Sequence, residues 1–334
     1  MPEAVERPEA VTARETAKRI FRHENAVLAI VLGALIGGMG VATKGVSIRA
    51  QNMVNVLLHS SIRGVATIGQ AFVILSGGID LSIGGVGLFC SLLGVLMMTE
   101  AEWLNLVGHP VSIYIGIPVM LLAGAGWGTI NGVSVSRIGM PPLIVTLAMW
   151  EISKGAAFRM SGGTSAGFLP ESLAFFGSGR VAGVPVPIII FIGVAAVAYF
   201  VLHYTSFGRS AYAVGGSPVS AWLSGINVRN VRFTVYVISG LLTGLAAVLV
   251  SAFTMIASMR TLEGLELDTI AAVCIGGVSL MGGRGTVIGA VIGVLIVSVI
   301  NNAMTILGAE PTLQNITKGA IIITAVAIDY VRRR

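Results

Sequence analysis

Long apolar runs, broken by short clusters of Gly, Pro, Ser and charged residues, recur along almost the whole chain. They fall at roughly 26–42, 52–75, 82–98, 111–135, 141–158, 185–204, 231–254, 267–280, 285–307 and 315–331. Most approach the ~20 consecutive apolar residues that cross a bilayer as a helix. The pattern predicts an all-α polytopic membrane protein with about ten transmembrane helices. Two runs are weak: 267–280 is short, and 52–75 carries His59 and Arg63. An Arg within a span is costly, so Arg63 is expected near the outer end, snorkelling to the headgroups.

Charge then orients the spans. With the amino terminus inside, the inner segments collect Arg7, Arg14, Lys18, Arg19, Arg22, Arg137, Arg209, Arg229, Arg232, Arg284 and Arg332 to Arg334; the outer ones collect Lys44, Arg49, Lys154, Arg159, Arg180 and Arg260. Thirteen against six follows the positive-inside bias, so both termini are expected in the cytoplasm. Residues 1–25 are charged and lack an apolar signal-peptide core, so they read as a cytoplasmic tail before a single membrane domain, 26–334. Only 11% of the 334 residues are charged and 55% are hydrophobic, a composition for lipid rather than water. The net charge of +6 therefore reports topology and implies no nucleic-acid partner.

Two loops stand out. Ser161 to Pro187, on the outside, is rich in Gly and Pro and reads as a surface loop. On the inside, "GGSPVSAWLSGIN" (Gly215 to Asn227) holds a short helix. Ser217 is a good cap and Pro218 suits the first helical position; Gly225 and Asn227 are stop signals. Val219, Trp222, Leu223 and Ile226 share an apolar face, while Ser220, Ala221, Ser224 and Gly225 form a small, polar one. The segment is either an interfacial linker or a docking helix whose small outward face receives a partner.

The remaining chemistry is sparse. Asp80, in "GGIDLSIGG", is expected at the cytoplasmic end of two spans, capping the following helix with Ser82 rather than serving an ion path. The pairs Gly77–Gly78, Gly84–Gly85, Gly276–Gly277 and Gly282–Gly283 look like tight turns whose similar spacing hints at duplication. Glu263, Glu266 and Asp268, with Arg260, are expected near the outer surface, as a solvated loop, a docking patch for an external binding protein, or the mouth of a pathway. Trp127, Trp150 and Phe158 are candidates to stack on a sugar or simply to pack. Cys90 and Cys274 lie in apolar runs and read as thiols without a metal or redox role. No lysine stands in a phosphate-binding GxxxxGK[ST] loop, and no His follows His203 to serve a rhomboid-type serine protease.

Several longer stretches carry a resemblance: "ILSGGIDLSIGG" (74–85), "MPPLIVTLAMW" (140–150), "TSFGRSAYAVGGSPVSAWLSGINV" (205–228), "LELDTIAAVCIGGVSLMGGRGTVIGA" (265–290) and "ITKGAIIITAVAIDYVRRR" at the carboxyl end. From about residue 50 onward the chain resembles permease subunits of ribose-type bacterial ABC importers, in the branched-chain-like permease superfamily. The resemblance implies a type II importer architecture in the bacterial cytoplasmic (inner) membrane. It implies import of a monosaccharide or polyol, with a second permease chain, identical or homologous, and a periplasmic or extracellular sugar-binding protein. A cytoplasmic ABC ATPase dimer would bind ATP and Mg, so this chain itself would be no enzyme and hold no cofactor. In that family the stretch matching Ser217, Pro218, Ala221, Trp222, Leu223, Ser224, Gly225 and Ile226 is the coupling helix, seated in the ATPase. Where the family has Asn, Ala and Arg, this chain has Ser217, Ser220 and Trp222, and Val219 stands where a charge is common. The alternative is a secondary transporter, which would need ionisable groups at mid-bilayer; Arg63, Glu151, Lys154 and Lys318 are expected toward span ends instead.

Overall fold

The computed structural model describes residues 24–332; the tail assigned to residues 1–25 falls almost entirely outside them. Each of the ten apolar runs coincides with a helix: α1 (Glu24–Ala42), α2 (Ala50–Leu75), α3 (Ile83–Met98), α4 (Ile113–Val133), α5 (Pro142–Ser161), α7 (Val186–Tyr204), α10 (Val228–Thr254), α11 (Leu265–Ile275), α12 (Val287–Ile306) and α13 (Pro311–Arg332). Three shorter helices join them: α6 (Glu171–Ser178), α8 (Ser206–Gly216) and α9 (Pro218–Leu223). Among the described residues, six helices are long and apolar enough to cross a membrane: α1, α2, α4 with its extension to Ile138, α7, α10 and α12. The others fall short for visible reasons. Glu151, Lys154 and Arg159 charge α5, and α3 has only 16 residues.

The 267–280 run is corrected most. Gly276 and Gly277 stop α11 after 11 residues, about 16 Å of helix, half a bilayer's hydrocarbon core. Before α11, the chain leaves α10 through Met255 (φ +55) and pairs Ala257 with Ala166 in an antiparallel bridge, two N–H···O bonds of 2.8 Å. The long outer loop is thus not structureless: it contains α6, this bridge and a two-residue hairpin, β1 (Arg180–Val181) with β2 (Val184–Pro185).

Helix α2 is the hub, packed against α7, α10, α11 and α12, and every residue from Gly64 to Leu75 is buried. The tightest seam joins α4 to α10. Gly124, Gly128 and Gly132 recur every four residues on α4; the first two lie against Gly240 and Gly244 on α10 and the third against Phe233. A methyl group at Gly124 would lie 3.0 Å from the Gly244 Cα, and one at Gly240 would lie 2.9 Å from the Gly128 Cα. Apolar burial gives membrane helices little reason to associate, so this close approach supplies the attraction through dispersion.

The turns after α2 and α11 have the same geometry. Gly77 (φ +80) and Gly277 (φ +77) close them, with Gly77 N–H to Ile74 O at 2.9 Å and Gly277 N–H to Cys274 O at 3.0 Å. Gly78 N–H reaches Val73 O at 3.0 Å and Val278 N–H reaches Val273 O at 3.1 Å. Two of the four glycine pairs, Gly77–Gly78 and Gly276–Gly277, thus mark the same helix ending, whereas Gly84–Gly85 lie inside α3 and Gly282–Gly283 in a turn.

Candidate functional site

Two helices project the segment at 217–226. Thr205 caps α8 by accepting from Gly208 N–H at 3.2 Å. Ser217 caps α9 by accepting from Ser220 N–H at 3.2 Å, with Pro218 at the first turn. Gly225 (φ +82) ends α9, its N–H bonded to Trp222 O at 2.9 Å and that of Ile226 to Ala221 O at 3.0 Å. Ser224 Oγ donates to Ser220 O at 2.9 Å.

The faces of α9 depart from the expected ones at Ala221, which turns inward, and at Val219, Trp222 and Leu223, which turn outward. Ala221 is buried against Ala211 and Val214 of α8 and Val231 of α10, and Ile226 is half-buried beside it. Val219, Trp222 and Leu223 are 68%, 67% and 73% exposed. The cause is size: only a small side chain lets α9 lie close against α8, so the small residue goes inward and the large ones stand out. Ser220, Ser224 and Gly225 are also exposed. Beside α9 runs an open groove of about 980 Å³. One wall is the π-helical end of α4, Ser134–Ile138; Trp222, Arg229 and Arg232 contribute to the other. Arg137, on that π turn, donates to Asn230 Oδ1 at 3.1 Å.

The base of α8–α9 is locked to the glycine turns. Gly283 N–H donates to Leu75 O at 2.9 Å, and Tyr212 O–H donates to Gly285 O at 2.9 Å. Gly215 lies between them: a methyl group there would overlap the Leu75 carbonyl and come within 2.5 Å of Gly283 N. The α8–α9 base is therefore in backbone contact with the end of α2 and with the turn between α11 and α12. Nothing about Gly215 in the sequence beyond its pairing with Gly216 signals this role.

The acidic candidates separate. Glu263 is exposed and Glu266 half-buried. Asp268 is not at the surface: it is buried on α11, with Lys318 Nζ of α13 at 2.8 Å and Arg63 Nη1 of α2 at 3.6 Å. This corrects two expectations. Arg63 is thirteen residues from Ala50, about 20 Å along the axis, so it sits at half the length of α2 rather than near its outer end. Lys318 likewise turns inward to a carboxylate. Asp80 sits, as expected, between the end of α2 and the start of α3, but it is buried there, accepting from Ser82 N–H (3.0 Å), Ser82 Oγ (2.6 Å) and Ser239 Oγ of α10 (2.8 Å). Asn131 of α4 donates to Ser82 Oγ at 2.8 Å, so Asp80 organises the start of α3 and ties it to α4 and α10. Of the aromatic candidates, Trp127 packs edge-on against Phe89, Trp150 carries Lys154 Nζ 4.6 Å from its ring centroid, and Phe158 is exposed.

Six helices long and apolar enough to cross a membrane, joined by a glycine seam and an internal ion-pair cluster, mark a polytopic membrane fold. The chain belongs to the family described as branched-chain amino acid transport system / permease component, matched over residues 52–326. It is similar to the ribose import permease protein RbsC of Haemophilus influenzae, 38% identical over 282 residues covering 83% of this chain and 84% of the relative. Its counterpart in Escherichia coli strain K12 is 36% identical over 282 residues, covering 83% and 85%. The L-arabinose ABC transporter permease protein AraH of Azospirillum brasilense is 34% identical over 283 residues, covering 85% and 81%. No solved structure matches the chain.

Proposed function

We propose that this chain is the transmembrane subunit of an ATP-driven, binding-protein-dependent importer of a monosaccharide or related polyol. The observation that carries the reading is the extended similarity to permeases named for ribose and L-arabinose, over more than four-fifths of this chain. In this reading all ten long helices belong to the membrane domain and both termini are cytoplasmic, in a bacterial inner membrane. A second permease chain completes the pathway, and ATP and Mg reside on a cytoplasmic ATPase dimer.

The α8–α9 segment is the coupling element. Trp222, Leu223 and Val219 offer the apolar anchor a partner pocket needs, since aromatic side chains in desolvated pockets dominate interface energies. ATP binding draws the two α9 helices of the paired permeases together. The contacts of Gly215 with Leu75 and Gly283 pass that movement to α2 and to the turn between α11 and α12. Glu263, exposed before α11, is the candidate contact for the external binding protein.

Co-purification from the native operon tests the assembly: a stoichiometric nucleotide-binding protein is expected, with ribose uptake into proteoliposomes only when ATP and the binding protein are present. One observation favours a secondary transporter: the ionisable Arg63–Asp268–Lys318 cluster within the helices. Uptake by the chain alone, without ATP, would establish that reading and remove the importer.

A further inference from the structure

The outer half of α2 carries polar residues at one helical spacing. Gln51, Asn55, His59 and Arg63 follow every four residues, which places them along one side of the helix. Gln51, Asn55 and His59 are exposed, and the Arg63 side chain is 35% exposed. Gln51 Nε2 donates to Asn55 Oδ1 at 3.4 Å, and His59 packs edge-on against Phe253 of α10 with ring centroids 5.4 Å apart. Below Arg63 the helix is closed off, buried at every position.

Amide, imidazole and guanidinium groups turned to hydrocarbon would each leave polar atoms unsatisfied, at a cost of several kcal/mol. That side of α2 therefore faces water or protein. Leu57 is exposed too, but about 160° round the helix from His59, where a lipid-facing side belongs.

The foot of the stripe is charged and incompletely satisfied. Asp268 pairs with both Arg63 and Lys318, yet its Oδ1 lacks a well-directed hydrogen bond even with Lys318 Nζ at 2.8 Å. Glu266 Oε2, two residues before Asp268 and so on another side of α11, lies beside Gly84 of α3 and is buried with no hydrogen-bond partner among the described residues. Two cations share the one carboxylate of Asp268, so the station holds guanidinium and ammonium donors in excess of acceptors, which suits a neutral ligand rich in hydroxyl oxygens. Vicinal hydroxyls donate to carboxylate oxygens and accept from guanidinium or ammonium, the complement this cluster offers.

We propose that the Gln51–Asn55–His59–Arg63 stripe lines the outer half of the sugar's path, and that Asp268 with Arg63 and Lys318 forms a polar station at its foot. The inference rests on the importer reading and names its pathway. Single cysteines at Asn55, His59 and Leu57, in a chain whose Cys90 and Cys274 are replaced by Ala, test it in the assembled importer. A membrane-impermeant thiol reagent is added from outside, and radiolabelled ribose reports uptake. Asn55→Cys and His59→Cys are expected to react about tenfold or more faster than Leu57→Cys, as water-facing against lipid-facing positions do, and to lose uptake once modified. Asp268→Asn is expected to lower ribose uptake about tenfold while leaving ATPase association unchanged. Equal rates at all three positions would overturn the proposal, as would modification that leaves uptake intact. Burial of the stripe by a second permease chain would appear as unreactive cysteines at 55 and 59 that crosslink between chains, which also overturns it. Failure of the unmodified importer to take up ribose, L-arabinose or D-allose with ATP would instead count against the transport reading, while the three labelling rates still decide whether the stripe meets water.

Discussion

Two regions link distant helices in this chain by opposite means. At the base of α8–α9, Gly215, Gly283 and Leu75 meet backbone to backbone, with no side chain between them. At the start of α11, Asp268 reaches Arg63 and Lys318 through long, charged side chains. The first contact has no rotamers to adjust and passes a displacement on undiminished. The second can lengthen, rotate and exchange partners while its helices stay in place. A transporter needs both properties, and here they lie in separate places: stiffness where Gly283, in the turn between α11 and α12, meets Gly215 and Leu75, adaptability where Asp268 sits in the first turn of α11.

That comparison is open to direct attack. Gly215→Ala should have the largest effect, about 4 kcal/mol or loss of assembly, because overpacking against backbone on both sides cannot relax by a rotamer change. Thermal unfolding in detergent and ribose uptake would register it, and near-normal values for both would show that the turn is not rigid. Asp268→Ala should cost about 3 kcal/mol by leaving two cations with no carboxylate between them. Replacing Lys318 by Gln as well should recover part of that loss, and a double-mutant cycle on melting temperature measures how much. Trp222→Ala should leave the melting temperature unchanged, since the ring is exposed, but weaken ATPase binding by about 2 kcal/mol, read by titrating the ATPase onto nanodisc-embedded permease. The smallest change is Ser217→Ala, about 1 kcal/mol of local helix stability lost with the cap, detected as faster hydrogen exchange at Ser220.

The long helices were legible because a membrane imposes one requirement, apolar length, that shows in any single sequence. The end of α11 was missed: the run assigned to 267–280 was carried through Gly276–Gly277, although that pair is a stop signal. Helix α8 was not expected, although Phe207, Ala211 and Val214 already lie at its inward spacing. The segment carrying the coupling residues was visible from Ser217, Pro218 and Gly225, whereas its orientation was not. Whether Ala221 or Trp222 turns inward depends on how closely α8 and α10 approach, which no local pattern records. The ion cluster was hidden for the same reason. Arg63, Asp268 and Lys318 come from three distant segments, and only the fold brings them together. The four-residue spacing from Gln51 to Arg63 was the available hint, since a span meant wholly for lipid has no use for it.

The α4–α10 seam also limits how this protein can be engineered. A common route to a more robust helical protein replaces helical glycines with alanine, removing disorder from the unfolded chain and raising helix propensity by about 1 kcal/mol per site. At Gly124, Gly128, Gly240 and Gly244 that exchange would push the two helices apart along the whole seam. Gly33, Gly126, Gly155 and Gly193, also within helices, have nothing within 4 Å of an added methyl group. A stabilised variant for biochemical work would therefore start at those four positions and leave the seam as it stands.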